Sequence, residues 1–155
     1  MRKIIWILII LLGFSSCQQS KVYNDFRTMP LVGWHQDSVL TYNANMPDSA
    51  GIYDVVIVVR HTDQYPYQNL WLFVNTYASK SSVQQRDTIE ATMADNYGRW
   101  FGRGIKYYEL SLSYLEAFRS DTAALQFTIQ QGMRTEYLQG ITDVGLQIIK
   151  HNGKE

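Results

Sequence analysis

The sequence has few of the residues that form disulfides or metal sites in a small protein. It holds one cysteine, Cys17, and three prolines among 155 residues. A single cysteine has no disulfide partner within the chain, so the fold does not rest on an internal disulfide framework. The three histidines, His35, His61 and His151, are far apart, and none has the spacing of metal ligands. The sequence therefore indicates neither a disulfide scaffold nor a metal centre.

The chain also has no excess of positive or negative charge, and it lacks the common catalytic motifs. The chain carries 14 basic and 14 acidic residues, and no basic cluster is dense enough to predict nucleic-acid binding. It has no Gly-x-Ser-x-Gly elbow, and its glycines are not followed by the Lys-Ser/Thr of a phosphate loop. Nothing singles out the carboxylate pair of a glycosidase among Asp54, Asp63, Asp95, Glu136 and Asp143. We expect a protein that is not an enzyme.

The one long apolar run lies at the N-terminus, from Ile4 to Phe14, behind two basic residues. A basic start, a short apolar run and small residues are typical of a secretory signal peptide, and spanning a bilayer takes about 20 apolar residues. Ser15–Cys17 resembles a bacterial lipobox, in which the cysteine thiol receives a diacylglycerol and becomes the acylated first residue. The alternatives are an ordinary signal peptide with a chance cysteine, or a buried N-terminal helix.

This interpretation divides the chain into four parts. We predict a signal peptide at 1–16, the lipidated Cys17 with a short tether at 17–21, one domain at 22–150 and a polar tail at 151–155. A diacylglycerol and an acyl chain on Cys17 supply more than one chain, as stable membrane anchoring requires; no other cofactor is expected. Acidic residues after such a cysteine are expected to direct export to the surface, so their absence from the tether favours a domain that faces the periplasm.

Apolar residues alternate with polar ones along most of the mature chain, which is typical of strands rather than helices. Ile52–Val59 and Leu70–Val74 are apolar almost throughout, so we expect strands covered on both faces. Met93–Gly104, with three glycines and no period, is predicted as a long loop. About seven or eight strands without intervening helices predict an all-β antiparallel sandwich, of jelly-roll or immunoglobulin-like type. The predicted strands are Val22–Thr28, Ser38–Asn43, Ile52–Val59, Leu70–Val74, Gln84–Thr92, Tyr108–Tyr114, Leu125–Ile129 and Val144–Ile148.

Two loops are rich in aromatic residues. Tyr65 and Tyr67 flank a proline, and Trp100 and Phe101 lie among glycines. Exposed rings of this kind stack on sugar faces or anchor a protein partner. These four residues are the candidate partner or ligand surface. The alternative is that Trp100 and Tyr67 fold back to close the ends of the sandwich.

Arg134 is predicted to be structural. At a strand end, it would satisfy loop carbonyls or pair with Asp95 or Asp143. Removing one partner of a partly buried charged pair is strongly destabilising. We therefore expect Arg134→Ala to lower stability rather than to remove a ligand contact.

Several short motifs follow one another along the domain. They are Arg60-His61, Tyr65-Pro66-Tyr67-Gln68-Asn69-Leu70, Asp87-Thr88-Ile89-Glu90, Met93-Ala94-Asp95, the positions Gly98, Trp100, Gly102 and Gly104, Gln131-Gly132-Met133-Arg134, and Leu138-Gln139-Gly140-Ile141-Thr142-Asp143-Val144-Gly145. In their order and spacing, these motifs resemble the gliding-motility lipoprotein H (GldH) family of Bacteroidetes. The resemblance implies an envelope lipoprotein that is associated with gliding motility and, through it, with the type IX secretion and surface-adhesin machinery. It implies no enzymatic activity and no catalytic residues. The alternative is a carbohydrate-binding module that uses the loop aromatics.

Overall fold

The computed structural model describes residues 21–47, 50–79, 82–120 and 122–151. Within these ranges the chain forms eleven strands, and no helix suited to crossing a membrane is present there. The predicted signal peptide, Cys17 and most of the tether fall outside these ranges. The strands are β1 (Lys21–Thr28), β2 (Trp34–His35), β3 (Leu40–Asn45), β4 (Ile52–Thr62), β5 (Asn69–Ser79), β6 (Ser82–Thr92), β7 (Arg103–Gly104), β8 (Tyr107–Arg119), β9 (Ala124–Gln131), β10 (Tyr137–Leu138) and β11 (Ile141–Lys150).

The strands form two main sheets, and every described pairing is antiparallel. One sheet has the order β1-β11-β4-β8-β7, and the other has the order β3-β9-β5-β6. The short strands β2 and β10 pair with each other beside them. The all-β antiparallel sandwich is confirmed, and each of the eight predicted strands overlaps one of the eight long ones.

The core lies between the two sheets and follows the period of two along each strand. Val55, Ile57 and Val59 of β4 are buried, and they belong to one apolar cluster with Leu72 and Val74 of β5. Polar groups also tie the sheets together. The hydroxyl group of Tyr42 donates to the backbone oxygen of Val144 at 2.7 Å. The hydroxyl group of Tyr114 donates to Asp87 at 2.6 Å. These bonds satisfy donors that would otherwise be buried without a partner.

The outer faces of the two sheets differ from the prediction that β4 and β5 are covered on both sides. On the outer face of β4, Val58 is buried but Val56 is only half-buried. On the outer face of β5, Trp71 and Phe73 are 37% and 44% exposed. A sandwich has two layers, so only one face of each sheet meets the other. An apolar strand therefore need not have a second covering layer.

The two ends of the sandwich have different roles. Lys21 begins β1 opposite Ile149 of β11, and the backbone N–H of His151 donates to Ile52 at the same end. We call this the proximal end, because the chain enters here. The other end, the distal end, carries the β1–β2, β4–β5, β6–β8 and β9–β11 connections. All glycines with positive φ lie in these connections or in the short β7 among the described residues: Gly33, Gly98, Gly102, Gly104 and Gly140.

Candidate functional site: an aromatic groove on the four-stranded sheet

Two of the four predicted surface aromatics pack inward. Tyr65 is 2% exposed, and its hydroxyl group donates to the backbone oxygen of Asn69 at 2.7 Å. Trp100 is half-buried and meets the ring of His61 edge-on, with ring centroids 4.8 Å apart. Both residues close the distal end of the sandwich. For Trp100 this is the alternative predicted from the sequence, in which the ring folds back against the domain. They do not provide open platforms for a sugar ring.

The other two predicted aromatics are exposed, but they lie on different parts of the surface. Tyr67 is 39% exposed and packs edge-on against Tyr65, at 5.8 Å between ring centroids. Tyr67 lines a groove on the outer face of the four-stranded sheet, whereas Phe101 does not. The predicted surface is therefore divided, and only Tyr67 belongs to the groove.

The groove has a volume of about 510 Å³ and is lined by aromatic, amide, hydroxyl, thioether and guanidinium groups. Trp71 and Phe73 project into it because the intervening Leu72 points into the core, as the period of two along a strand requires. Thr88 of β6 lies directly opposite Phe73. The lining residues are Tyr67, Asn69, Trp71, Phe73, Thr88, Gly132, Met133 and Arg134.

The turn after β9 forms one wall of the groove. The backbone N–H of Gly132 donates to the backbone oxygen of Trp71 at 2.7 Å. The backbone N–H of Trp71 donates in turn to the sulfur atom of Met133, at 3.4 Å between nitrogen and sulfur. A Cβ atom at Gly132 would lie 3.2 Å from side-chain atoms of both Trp71 and Phe73. Glycine therefore lets the turn approach the two rings closely.

A buried amide holds this turn in shape. Gln131 is buried, and its side-chain oxygen accepts the backbone N–H of Met133 at 2.8 Å. Its side-chain nitrogen donates to the backbone oxygen of Thr135 at 3.0 Å. Because both polar ends of the amide are engaged, Gln131 fixes the backbone that carries Met133 and Arg134.

The charges around the groove are unequally paired. The Glu90 carboxylate, opposite Trp71 in the ladder, accepts a hydrogen bond from the side chain of Asn69 at 2.6 Å. Arg134 is exposed and has no acidic partner within the described ranges. Arg86, one outward position beyond Thr88 on β6, is also exposed and unpaired there. A hydrogen bond from a neutral amide leaves the negative charge of Glu90 in place, so these exposed charges are two cations and one carboxylate, with a net positive sign.

The pairing predicted for Arg134 is wrong, because both candidate partners are occupied elsewhere. Asp95 bonds Arg99 at 2.7 Å. Hydrogen bonds from Arg99, above all from its backbone N–H, lower the pKa of Asp95. Asp143 accepts the hydroxyl group of Thr28 at 2.8 Å. The structure places Arg134 in the groove wall, where it is not a buried charge.

His61 lies at the distal end and was not among the predicted site residues. It is 0% exposed, its Nδ1 lies 3.0 Å from the backbone oxygen of Thr62, and its Nε2 has no hydrogen-bond partner. Tyr108 stacks on the ring at 5.3 Å. Desolvation by burial lowers the pKa of His61. Burial therefore favours the neutral imidazole, and the ring packs as part of an aromatic cluster.

The described residues contain no group of three or more His, Cys, Asp or Glu side chains arranged to hold a metal ion. Trp71, Phe73 and Met133 were not predicted as site residues. A signal for the first two was present, since aliphatic and aromatic residues alternate along Leu70–Val74. Met133 gave no such signal, because its position depends on a turn that packs against another strand.

Comparison with known proteins places these features in a family. Residues 21–148 match the family model described as GldH lipoprotein. The chain is 34% identical over 155 residues to the gliding motility lipoprotein GldH homolog of Christiangramia forsetii, an alignment that covers 94% of this chain and 93% of that protein. It is 30% identical over 140 residues to the gliding motility lipoprotein GldH of Flavobacterium johnsoniae, covering 86% and 87% of the two chains.

Solved structures offer only a distant likeness. A family GH115 4-O-methyl-α-glucuronidase superposes with a TM-score of 0.42 at 10% sequence identity. The match covers 88% of this chain but only 18% of the enzyme chain. A likeness this low has no bearing on function.

Proposed function

The chain belongs to the GldH family of gliding motility lipoproteins, and we propose that it acts through contacts with other envelope proteins rather than as an enzyme. As a member of a lipoprotein family, it is anchored to a membrane of the cell envelope. The observation that carries the proposed mode of action is the groove. It is an open, preformed surface on a rigid sheet, and it is built from residues that commonly anchor protein partners.

The composition of the groove supports a protein partner. Tyr, Trp, Phe, Met and Arg are enriched in the cores of protein–protein interfaces, whereas Lys, Glu, Asp, Ser and Ala are depleted. Five of the eight lining residues belong to the enriched types and none to the depleted ones: Tyr67, Trp71, Phe73, Met133 and Arg134. Energetically dominant interface positions are likewise rich in Trp, Tyr and Arg. A surface of this kind binds a partner through a few central side chains.

The proposed anchor is a diacylglycerol and an acyl chain on Cys17. A basic start, a short apolar run and the small residues before the cysteine support this modification. The tether has no acidic residue after Cys17, which favours a domain that faces the periplasm. In this arrangement the proposed partners are components of the gliding and type IX secretion machinery.

The proposed contact is tested by photo-crosslinking in intact envelopes. The experiment replaces Thr88, which lines the groove, with p-benzoylphenylalanine in the full-length protein. We expect irradiation to join the protein to one or a few defined envelope proteins. Ser111 is the matched control, because it is an exposed hydroxyl residue on a long strand of the other sheet.

The outcome separates three possibilities. Crosslinks from position 88 that are absent from position 111 support a protein contact at the groove. Equal crosslinking from both positions argues against a contact at this site. Crosslinks to no protein from position 88 would remove the proposed function.

A further inference from the structure

We infer that the groove receives an acidic protein segment that places an apolar side chain on Trp71 and Phe73 and a carboxylate beside Arg134. This inference rests on the proposed function, because it names the chemistry of the partner at the same site. The partner segment is specified by three features of the described residues: the apolar floor, the unpaired cations and the position of the groove in the molecule.

The floor of the groove suits an apolar side chain. Trp71 and Phe73 are neighbours on the outer face of β5, and both are more than a third exposed. Met133 adds a flexible thioether at the wall, and a side chain of this type adapts to the shape of an apolar partner. Covering these groups removes apolar surface from water, which is the main favourable contribution to association.

The cations specify the charge of the partner. Arg134 contributes to the lining of the groove, and Arg86 lies on the same outer face one position beyond Thr88. Neither has an acidic partner among the described residues, and together they outnumber the exposed carboxylate of Glu90, which lies on the same face of β6 and accepts a hydrogen bond from Asn69. A guanidinium group donates two parallel hydrogen bonds to the two oxygens of a carboxylate. The complementary segment therefore carries at least one carboxylate, and a basic segment binds more weakly.

The position of the groove favours a protein rather than a lipid surface. Trp71 and Phe73 lie in the distal half of β5, whereas the chain leaves the sandwich towards its anchor at the proximal end, at Lys21. The eight residues of β1 hold the two ends about 23 Å apart, at roughly 3.3 Å per residue. Trp71 and Phe73 therefore lie towards the end remote from Lys21, the first described residue after the proposed lipidation site Cys17.

Defined peptides test this chemistry on the full-length protein in detergent micelles. The probe is a fluorescein-labelled hexapeptide of alternating phenylalanine and aspartate, followed by fluorescence polarisation. One comparison peptide has lysine in place of aspartate, and another has serine in place of phenylalanine. We expect measurable binding of the first peptide only. We expect Trp71→Ala to weaken it by about 30-fold, as for a central interface aromatic.

Charge reversal isolates the contribution of Arg134. We expect Arg134→Glu to weaken the aspartate peptide by about fivefold or more, as for an exposed ion pair. The same variant should bind the lysine peptide better than the unchanged protein does. Arg103→Glu, a charge reversal at an exposed residue outside the groove, is the matched control and should leave both affinities unchanged.

Several results would overturn the inference. One is equal binding of the lysine and aspartate peptides. Another is Trp71-dependent binding of neutral oligosaccharides, or Arg134-dependent binding of phosphatidylglycerol vesicles, in place of the peptide. If no peptide binds while position 88 still crosslinks to an envelope protein, this inference fails and the proposed function stands. If position 88 crosslinks to no protein, the proposed function fails independently of the peptides.

Discussion

We expect His61 to make the distal end of the molecule sensitive to acid. The ring is fully buried among Tyr65, Trp100 and Tyr108, and only its Nδ1 has a hydrogen-bond acceptor. A proton on Nε2 would create a charge with no partner in an apolar site, so burial lowers the pKa of His61 below its value of 6.5. Below pH 6.5 the unfolded chain therefore binds more protons at this position than the folded chain does.

This difference predicts the direction of the pH dependence. The stability that a neutral His61 contributes is fully present above pH 6.5 and decreases as the pH falls towards the lowered folded pKa. We expect the melting temperature to fall between pH 7.5 and pH 5, and to fall less in His61→Phe, which cannot be protonated. Thermal unfolding followed by circular dichroism measures both. His35→Phe is the control, and an equal loss of slope in both variants would contradict the assignment.

The environment of Arg134 gives a second prediction at this scale, opposite to the one from sequence. Since Arg134 is exposed and unpaired among the described residues, its removal leaves no buried charge behind. We expect Arg134→Ala to change the free energy of unfolding by less than about 0.5 kcal/mol, as for most surface substitutions. Urea unfolding measures this change. A loss of more than about 2 kcal/mol would restore a structural role for Arg134.

At the scale of elements, β8 contains an irregularity beside β4. The register shifts between Tyr53 and Val55, and Ala117 lies at φ 49°, the one positive φ outside glycine among the described residues. The backbone N–H of Ala117 donates to the carboxylate of Asp54 at 2.9 Å, and Nδ1 of His151 lies 2.8 Å from the same oxygen. Asp54 therefore holds the bulge and the end of β11 together.

The left-handed backbone at Ala117 predicts a stabilising substitution. A Cβ atom in this conformation costs roughly 1–2 kcal/mol, which glycine avoids, although glycine also loses more freedom on folding. We expect Ala117→Gly to raise the free energy of unfolding by about 0.5 kcal/mol. Chemical denaturation measures it. Ala124→Gly, in extended backbone at the start of β9, is the control and should destabilise instead.

The elements also show what a sequence reveals about a sandwich. The long strands were predictable because alternation is a local property: Tyr108, Leu110 and Leu112 lie on one face whatever the rest of the chain does. β2 and β10 were not predictable, since two residues are too few to show alternation and their pairing joins positions about a hundred residues apart. The groove was missed for the same reason. Its aromatic floor is local to β5, but its exposure depends on which sheet face the fold leaves open.

At the scale of the whole molecule, the placement of the anchor gives a further prediction. We expect Cys17→Ser to abolish incorporation of a fatty-acid probe and to move the protein from the membrane fraction to the soluble fraction. The reason is that acyl chains supply about 0.8 kcal/mol of membrane affinity per buried CH₂ group, whereas serine has no thiol to acylate. Gln18→Ser is the control and should remain lipidated. Unchanged membrane retention of Cys17→Ser would contradict a lipid anchor.

The orientation of β1 determines how the molecule bears mechanical load. Among the described residues, β1 is an edge strand whose one long partner is β11, and its first residue, Lys21, is the last residue of the predicted tether. A pull between the tether and a partner at the opposite end acts along the strand axis, whereas antiparallel hydrogen bonds run across it. The bonds from Tyr23 to Thr28 are therefore sheared together rather than peeled one at a time. Tension applied at Lys21 along the axis of β1 meets the resistance of a whole strand.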